Sequence, residues 1–186
     1  FRDKKASFIT ADGGFDYSND FNKQEENSSR IIYSEIVSAL AIQDKGGNFV
    51  IKIFDTFTIF TLKCIFLLNS FYENIYLYKP LTSRVANSEK YIICKNFKGI
   101  DKDLLEKFLE SIKVFPKNNP DIKTIKLSNE FIYEFDSYNS QFVNNQIQFI
   151  NKTLDIIKNK DSIDLDKIIK EQIKNANEWC ITYNFK

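Results

Sequence analysis

A short return between two strands constrains this chain more than any other feature. Residues 72–78 read as a β-strand closed by Lys79-Pro80, and residues 89–95 read as the next strand. The intervening segment, 79–88, is too short to hold a crossover helix, so the second of these strands must run antiparallel to the first. Upstream the pattern alternates. Ser7-Phe8-Ile9-Thr10 is a short strand ended by an Asp12-Gly13-Gly14 turn. A helix follows, capped near Asn27 or Ser28, with Ile31, Ile32, Ile36, Val37, Leu40 and Ala41 at helical spacing. Asp44-Lys45-Gly46-Gly47 is expected to stop it, 48–54 to form a second strand, and 58–69 a core helix. The order β-α-β-α-β and then a tight return argues for an α/β fold: parallel strands, one antiparallel strand, and helices against the sheet.

That topology gathers three charged residues. The carboxyl end of a parallel strand and the amino end of an antiparallel one share an edge of the sheet. Asp12 follows the first strand, Lys52 lies toward the end of the second, and Glu89 opens the antiparallel one. All three can face the crevice where open α/β sheets bind ligands. Charges at the margin of apolar runs are costly unless paired.

Each residue also has an ordinary reading. Asp12 beside glycine is common turn chemistry. Lys52, with Val50 and Phe54, can be the solvent face of a strand, and Glu89 an exposed strand start. The functional reading makes Lys52 a partly buried proton acceptor, with Asp12 and Glu89 in its network. Arg84 is one of three arginines in a lysine-rich chain, in a loop where Asn87 and Ser88 offer further polar groups. A need for bidentate phosphate or carboxylate geometry accounts for it as well as a loop salt bridge does. Lys79, Lys90, Lys95 and Lys98 make a local basic stretch around it. Phe15 and Tyr17 can stack a base or simply pack.

Composition narrows the classes. At 186 residues, with 43% hydrophobic and 27% charged residues, the chain is globular and large enough for one sizeable core. A net charge of +1 gives no bulk electrostatic case for nucleic acid, so any such case rests on local patches. There is no histidine, and Cys64, Cys94 and Cys180 are widely spaced, which argues against a zinc site. Cys64 and Cys94 lie in apolar runs, as buried thiols of a reducing compartment do. The most apolar stretch, 57–68, is too short to span a bilayer and contains Lys63. The chain contains no methionine, even at position 1, and is expected to be a piece of something longer.

From Lys98 onward the character changes. Residues 101–114 read as an amphipathic helix with Leu104, Leu105, Phe108, Leu109 and Ile112 on one stripe, interrupted by Pro116 and Pro120. Residues 122–127 are a candidate strand, and 142–157 and 163–179 candidate helices. The expected division is a sheet-bearing part, 1–100, and a mostly helical extension, 101–186. The extension shows packing faces and no chemistry.

Three segments together carry a resemblance: Thr10-Ala11-Asp12-Gly13-Gly14-Phe15-Asp16, then Gly46-Gly47-Asn48-Phe49-Val50-Ile51-Lys52-Ile53-Phe54-Asp55, then Lys79-Pro80-Leu81-Thr82-Ser83-Arg84-Val85-Ala86-Asn87-Ser88-Glu89-Lys90-Tyr91. Over residues 6–100 the chain resembles FtsJ-type RNA ribose 2′-O-methyltransferases, nearest to those specific for the mRNA cap. The resemblance implies the C-terminal half of a Rossmann-type methyltransferase sheet. It implies S-adenosylmethionine as methyl donor, with Asp12 beside it, capped mRNA as partner, and no metal. It implies a Lys-Asp-Lys-Glu tetrad in which Asp12, Lys52 and Glu89 stand for the last three members and Arg84, Asn87 and Ser88 meet RNA. The first lysine and the glycine-rich cofactor loop are expected upstream of residue 1, so residues 1–186 alone are expected to be inactive. The lysine- and asparagine-rich composition suits an AT-rich genome, such as that of a large DNA virus. The implied setting is intracellular: cytoplasm or virion if viral, nucleus if cellular. A ribosomal or tRNA 2′-O-methyltransferase and a non-catalytic RNA-binding subunit remain open alternatives.

Overall fold

A computed structural model of the chain describes residues 4–15, 20–80, 82–114, 122, 125–159 and 164–185. Its contacts divide it into two compact units, residues 1–79 with 89–137 and residues 80–88 with 138–186.

The first unit holds a four-stranded sheet: β1 (Ala6–Ala11), β2 (Gln43–Ile53), β3 (Tyr72–Tyr78) and β4 (Lys90–Phe97). In space they run β1-β2-β4-β3. β1 and β2 are parallel, while β4 is antiparallel to both of its neighbours. The antiparallel return inferred from the short segment after Tyr78 is therefore present. Helix α1 (Gln24–Ile42) joins β1 to β2, and α2 (Ile59–Phe71) joins β2 to β3. α3 (Lys102–Val114) follows β4.

The core is the layer between sheet and helices. Phe49, Ile51 and Ile53 alternate inward along β2, with Ile92 and Cys94 beside them on β4. They meet Ile32, Tyr33, Ile36, Val37 and Leu40 of α1 and Cys64, Ile65, Leu67 and Leu68 of α2. Strand period 2 and helix period 3.6 thus bury complementary faces. Burial pushes the Cys64 and Cys94 thiols above their ordinary range, as expected of packing residues. On α3, Leu105, Phe108 and Ile112 pack against this core, whereas Leu104 and Leu109 of the expected stripe are exposed. No helix among the described residues is long and apolar enough to cross a membrane.

Several boundaries differ from the sequence reading. α1 starts at Gln24, not near Asn27 or Ser28, because a 3-10 turn at Phe21–Lys23 leads into it, and among the described residues no side chain caps it. Asp44-Lys45-Gly46-Gly47 does not separate helix from strand. These residues lie inside β2, where the register slips between Ala6↔Gln43 and Phe8↔Asn48. Gly46 takes a positive φ of 81° within that irregularity, a conformation glycine adopts without Cβ strain. The described part of 122–127 forms no strand. Pro116 and Pro120 lie outside the described residues.

In the second unit, residues 82–88 are turns and irregular chain. The Ser83 amide donates to the Pro80 carbonyl at 2.9 Å and the Asn87 amide to the Arg84 carbonyl at 3.1 Å. The Gln146 side-chain amide donates to the Ala86 carbonyl at 3.1 Å. Helix α4 (Asn129–Lys158) begins well before the expected residue 142; its residues 129–137 belong to the first unit and 138–158 to the second, which also holds α5 (Leu165–Thr182). The early start follows from Phe131 and Phe135, which belong to the first unit and are buried in its own core. Asp164 caps α5 by accepting from the Lys167 amide at 3.0 Å.

Glu25 links α1 to the segment that follows β2. Its carboxylate is buried and accepts from the Phe57 amide, the Thr58 amide and the Thr58 hydroxyl at 2.7–2.9 Å. Thr58 in turn caps α2. A carboxylate is well placed at a helix N-terminus, where the amides are unpaired and the dipole is positive. Glu25→Ala takes the acceptor from the Phe57 and Thr58 amides, while the Thr58 hydroxyl keeps the Thr61 hydroxyl at 3.0 Å, and should lower unfolding free energy by about 3 kcal/mol. Glu25→Gln should cost less, and urea denaturation of the two variants checks the order.

Candidate active site

The register brings Asp12 and Lys52 together. Ala11 of β1 is level with Ile51 of β2, so the next residue on each strand is Asp12 and Lys52. Inward alternation of Phe49, Ile51 and Ile53 turns Lys52 to the other face of the sheet. There Lys52 Nζ forms an ion pair with Asp12 Oδ1 and lies 5.6 Å from the centre of the Phe54 ring. The lysine side chain is 17% exposed and the aspartate 71%. Lys52 is therefore not a freely solvated strand residue. Its nitrogen is held between an acidic group and an aromatic face.

Glu89 joins through Tyr91. Lys52 and Tyr91 are directly paired across β2 and β4, and the Tyr91 hydroxyl donates to Glu89 Oε1 at 2.8 Å. Burial and the fields of Glu89 and Asp12 push the Tyr91 hydroxyl up to about 12, so it stays a neutral donor. Lys79 Nζ donates to the Glu89 carbonyl at 2.8 Å. Asp12, Lys52, Tyr91 and Glu89 thus form one charged cluster at the edge of the sheet, where the sequence put three of the four.

Two residues were missed from the sequence. Tyr91 stands in the third motif segment, and as the cross-strand partner of Lys52 it follows from register alone. Glu35 was passed over inside the helix. It lies four residues after Ile31 and next to Ile36, on the apolar side of α1, and a lone acid there was the available signal. Its Oε1 accepts from the Gly13 amide at 2.8 Å, while its Oε2 is buried with no partner among the described residues. Burial raises its carboxyl above the usual glutamate range, against the Gly13 hydrogen bond and the Lys52 charge, which lower it.

Behind the cluster lies a buried lysine. Lys90 is 4% exposed, and desolvation lowers it from the ordinary lysine range against the opposing pull of Asp55 and Glu25. Within the local basic stretch Lys90 is thus turned inward, because its strand position points it into the helix layer with Ile92 and Cys94. Arg84 is exposed and Asn87 and Ser88 are half-buried, all in the second unit. Phe15 is 60% exposed; Tyr17 lies outside the described residues.

Comparison with known proteins gives the family. Residues 1–97 match the family described as FtsJ-like methyltransferase. The chain belongs to the FtsJ-like methyltransferase family. It is 34% identical to the cap-specific mRNA (nucleoside-2′-O-)-methyltransferase 1A of Caenorhabditis briggsae, over 94% of this chain and 21% of that protein. It is 33% identical to the cap-specific mRNA (nucleoside-2′-O-)-methyltransferase 1 of Trypanosoma brucei brucei, over 84% of this chain and 44% of that protein. The human protein of the latter name is 41% identical over 63% of this chain and 14% of its own length. This chain thus spans less than half the length of each of these relatives. A ribosomal RNA methyltransferase from Plasmodium falciparum overlays 53% of this chain and 50% of its own at a TM-score of 0.44 and 23% identity, too partial an overlay to add to the argument. The α/β architecture, a mixed sheet with helices and a helical C-terminal part, is that of an FtsJ-like methyltransferase as expected.

The raised Glu35 carboxyl fixes a sign for stability. The folded state holds this proton more tightly than the unfolded chain does, so its contribution is complete below the ordinary glutamate value of 4.5. It is lost as pH rises from there through the folded value. Glu35→Gln has no such proton. Its melting temperature relative to the native protein should climb as pH is raised above 4.5, and thermal scans across pH 4–8 check the trend.

Proposed function

We propose that this chain supplies the acid–base half of an S-adenosylmethionine-dependent methyl transfer to a ribose 2′-hydroxyl of mRNA, next to the cap. The Asp12–Lys52 ion pair at the open edge of the sheet is the observation that carries the reading. The names of the relatives, at 33–41% identity, favour the mRNA cap over a ribosomal or transfer RNA substrate.

The residues fit the donor's charge. S-adenosylmethionine, when bound, supplies a methyl group on a cationic sulfur. Asp12 commits one carboxylate oxygen to Lys52 and leaves a 71% exposed side chain at the sheet edge, an anionic neighbour for such a cation. Asp12 would both orient Lys52 and border the cofactor.

Lys52 would act on the substrate hydroxyl. A ribose 2′-hydroxyl attacks poorly until its proton leaves. In its amine form Lys52 accepts that proton while the oxygen forms the new O–CH3 bond and the S–CH3 bond breaks with its electron pair on sulfur. Half-burial and the Phe54 face keep bulk water from the nitrogen, and the Asp12 pair fixes its direction. Glu89, held by the Tyr91 hydroxyl, would balance the ammonium formed. Placing oxygen, methyl and sulfur in line accounts for much of the rate. The chemistry requires no metal ion.

Arg84 would hold RNA phosphate through its forked guanidinium, with Asn87 and Ser88 as neighbouring donors. Such contacts position the strand and take no part in bond making.

In the intact protein, Lys52→Ala should lower kcat for methyl transfer to capped RNA about a thousandfold, with cofactor binding preserved. RNA carrying a 2′-deoxy first nucleotide should accept no methyl group. Undiminished turnover by Lys52→Ala would end this reading, and equal activity on uncapped ribosomal RNA would end the cap assignment. Arg84→Ala should raise the KM for RNA about tenfold with kcat nearly unchanged, and should flatten the salt dependence of binding.

A further inference from the structure

Asp12 has little strand structure to hold it. The β1–β2 ladder ends at Ala11↔Ile51, and residues 12–15 are irregular. Its side chain is 71% exposed, so packing does not restrain it. Yet the pair with Lys52 needs the carboxylate at one place. The restraint comes from α1: the Gly13 amide donates to Glu35 Oε1 at 2.8 Å, across 22 residues of sequence. The fit is close. A Cβ at Gly13 would lie 2.5 Å from Glu35 Oε1 and 2.5 Å from Ile31 Cδ1.

Resting on the roles given above to Asp12 and Lys52, we infer that Glu35 is a positioning residue for that pair: its oxygen grips the Gly13 amide and thereby sets where the Asp12 carboxylate meets Lys52. An acid in this position is otherwise hard to account for. Glu35 interrupts the apolar side of α1, where Ile32, Ile36 and Val37 are buried and an aliphatic residue would pack without desolvating a carboxyl. Among the described residues its Oε2 is buried without a partner, so there the side chain serves one donor and not two. What the residue supplies to the described structure is one well-aligned acceptor for a backbone amide in the turn that carries Asp12. The Lys52 and Asp12 charges both act on Glu35, with opposite sign, which places it within reach of the pair.

An acceptor is what the role demands, so an amide should serve and a methyl should not. The test uses the intact protein, with kcat and KM measured on capped RNA and Gly13 amide exchange measured by NMR for native, Glu35→Ala, Glu35→Gln and Lys52→Ala forms. Glu35→Ala should lower kcat about a hundredfold, with the KM for RNA little changed and Gly13 amide protection lost. Glu35→Gln should return kcat to within about fivefold of native, with the amide protected. Native turnover by Glu35→Ala while Lys52→Ala is inactive overturns the positioning role alone. Undiminished turnover by Lys52→Ala overturns the functional reading, and this role with it. If Glu35→Ala does not fold, Glu35→Gln decides: near-native kcat with a protected Gly13 amide sustains the role, and loss of either overturns it.

Discussion

Parallel pairing of β1 with β2 is the constraint on which the cluster depends. Asp12 and Lys52 are 40 residues apart in the chain and become neighbours because Ala11 lies level with Ile51. A slip of one residue would send Lys52 into the layer of Phe49, Ile51 and Ile53, where an unpaired ammonium is costly. The hydrophobic alternation of β2 therefore sets the register, and the register sets the ion pair. The irregularity at residues 44–47 absorbs the extra length at the other end of the strands, away from the cluster.

The helix layer supports the same edge from below. Glu25 of α1 accepts from the segment after β2, and Glu35 of the same helix accepts from the turn after β1. Both segments leave the carboxyl ends of parallel strands, where backbone donors run out of ladder partners. Two acids on one helix, Glu25 buried and Glu35 half-buried, thus tie down the two loops that border Lys52. Lys90, one residue before Tyr91 and on the opposite face of β4, partly balances Glu25 and Asp55 from inside. The ordered edge rests on buried charge, which costs stability when any one partner is removed.

Much of the first unit was legible. Strand 72–78 was read to the residue, and the antiparallel return followed from loop length, because neither depends on distant contacts. The helix starts were less legible. The cap inferred near Asn27 rested on side-chain type, but the helix begins three residues earlier, at Gln24, behind a 3-10 turn. Asp-Lys-Gly-Gly reads as a helix stop followed by a loop, and tertiary pairing with β1 drew it into a strand. α4 was read from residue 142, since the polar run before it hides the buried Phe131 and Phe135.

By itself the amino-acid sequence determined the αβ alternation, the forced antiparallel strand and the three charged residues at strand ends. These follow from periodicity, loop length and motif, all of which are local. Only the tertiary structure decided that Asp12 grips Lys52, that Glu89 enters through Tyr91, that Lys90 is buried and that Glu35 reaches Gly13. Each of these is set by which face of a strand or helix meets which neighbour, and that is fixed by packing between segments tens of residues apart.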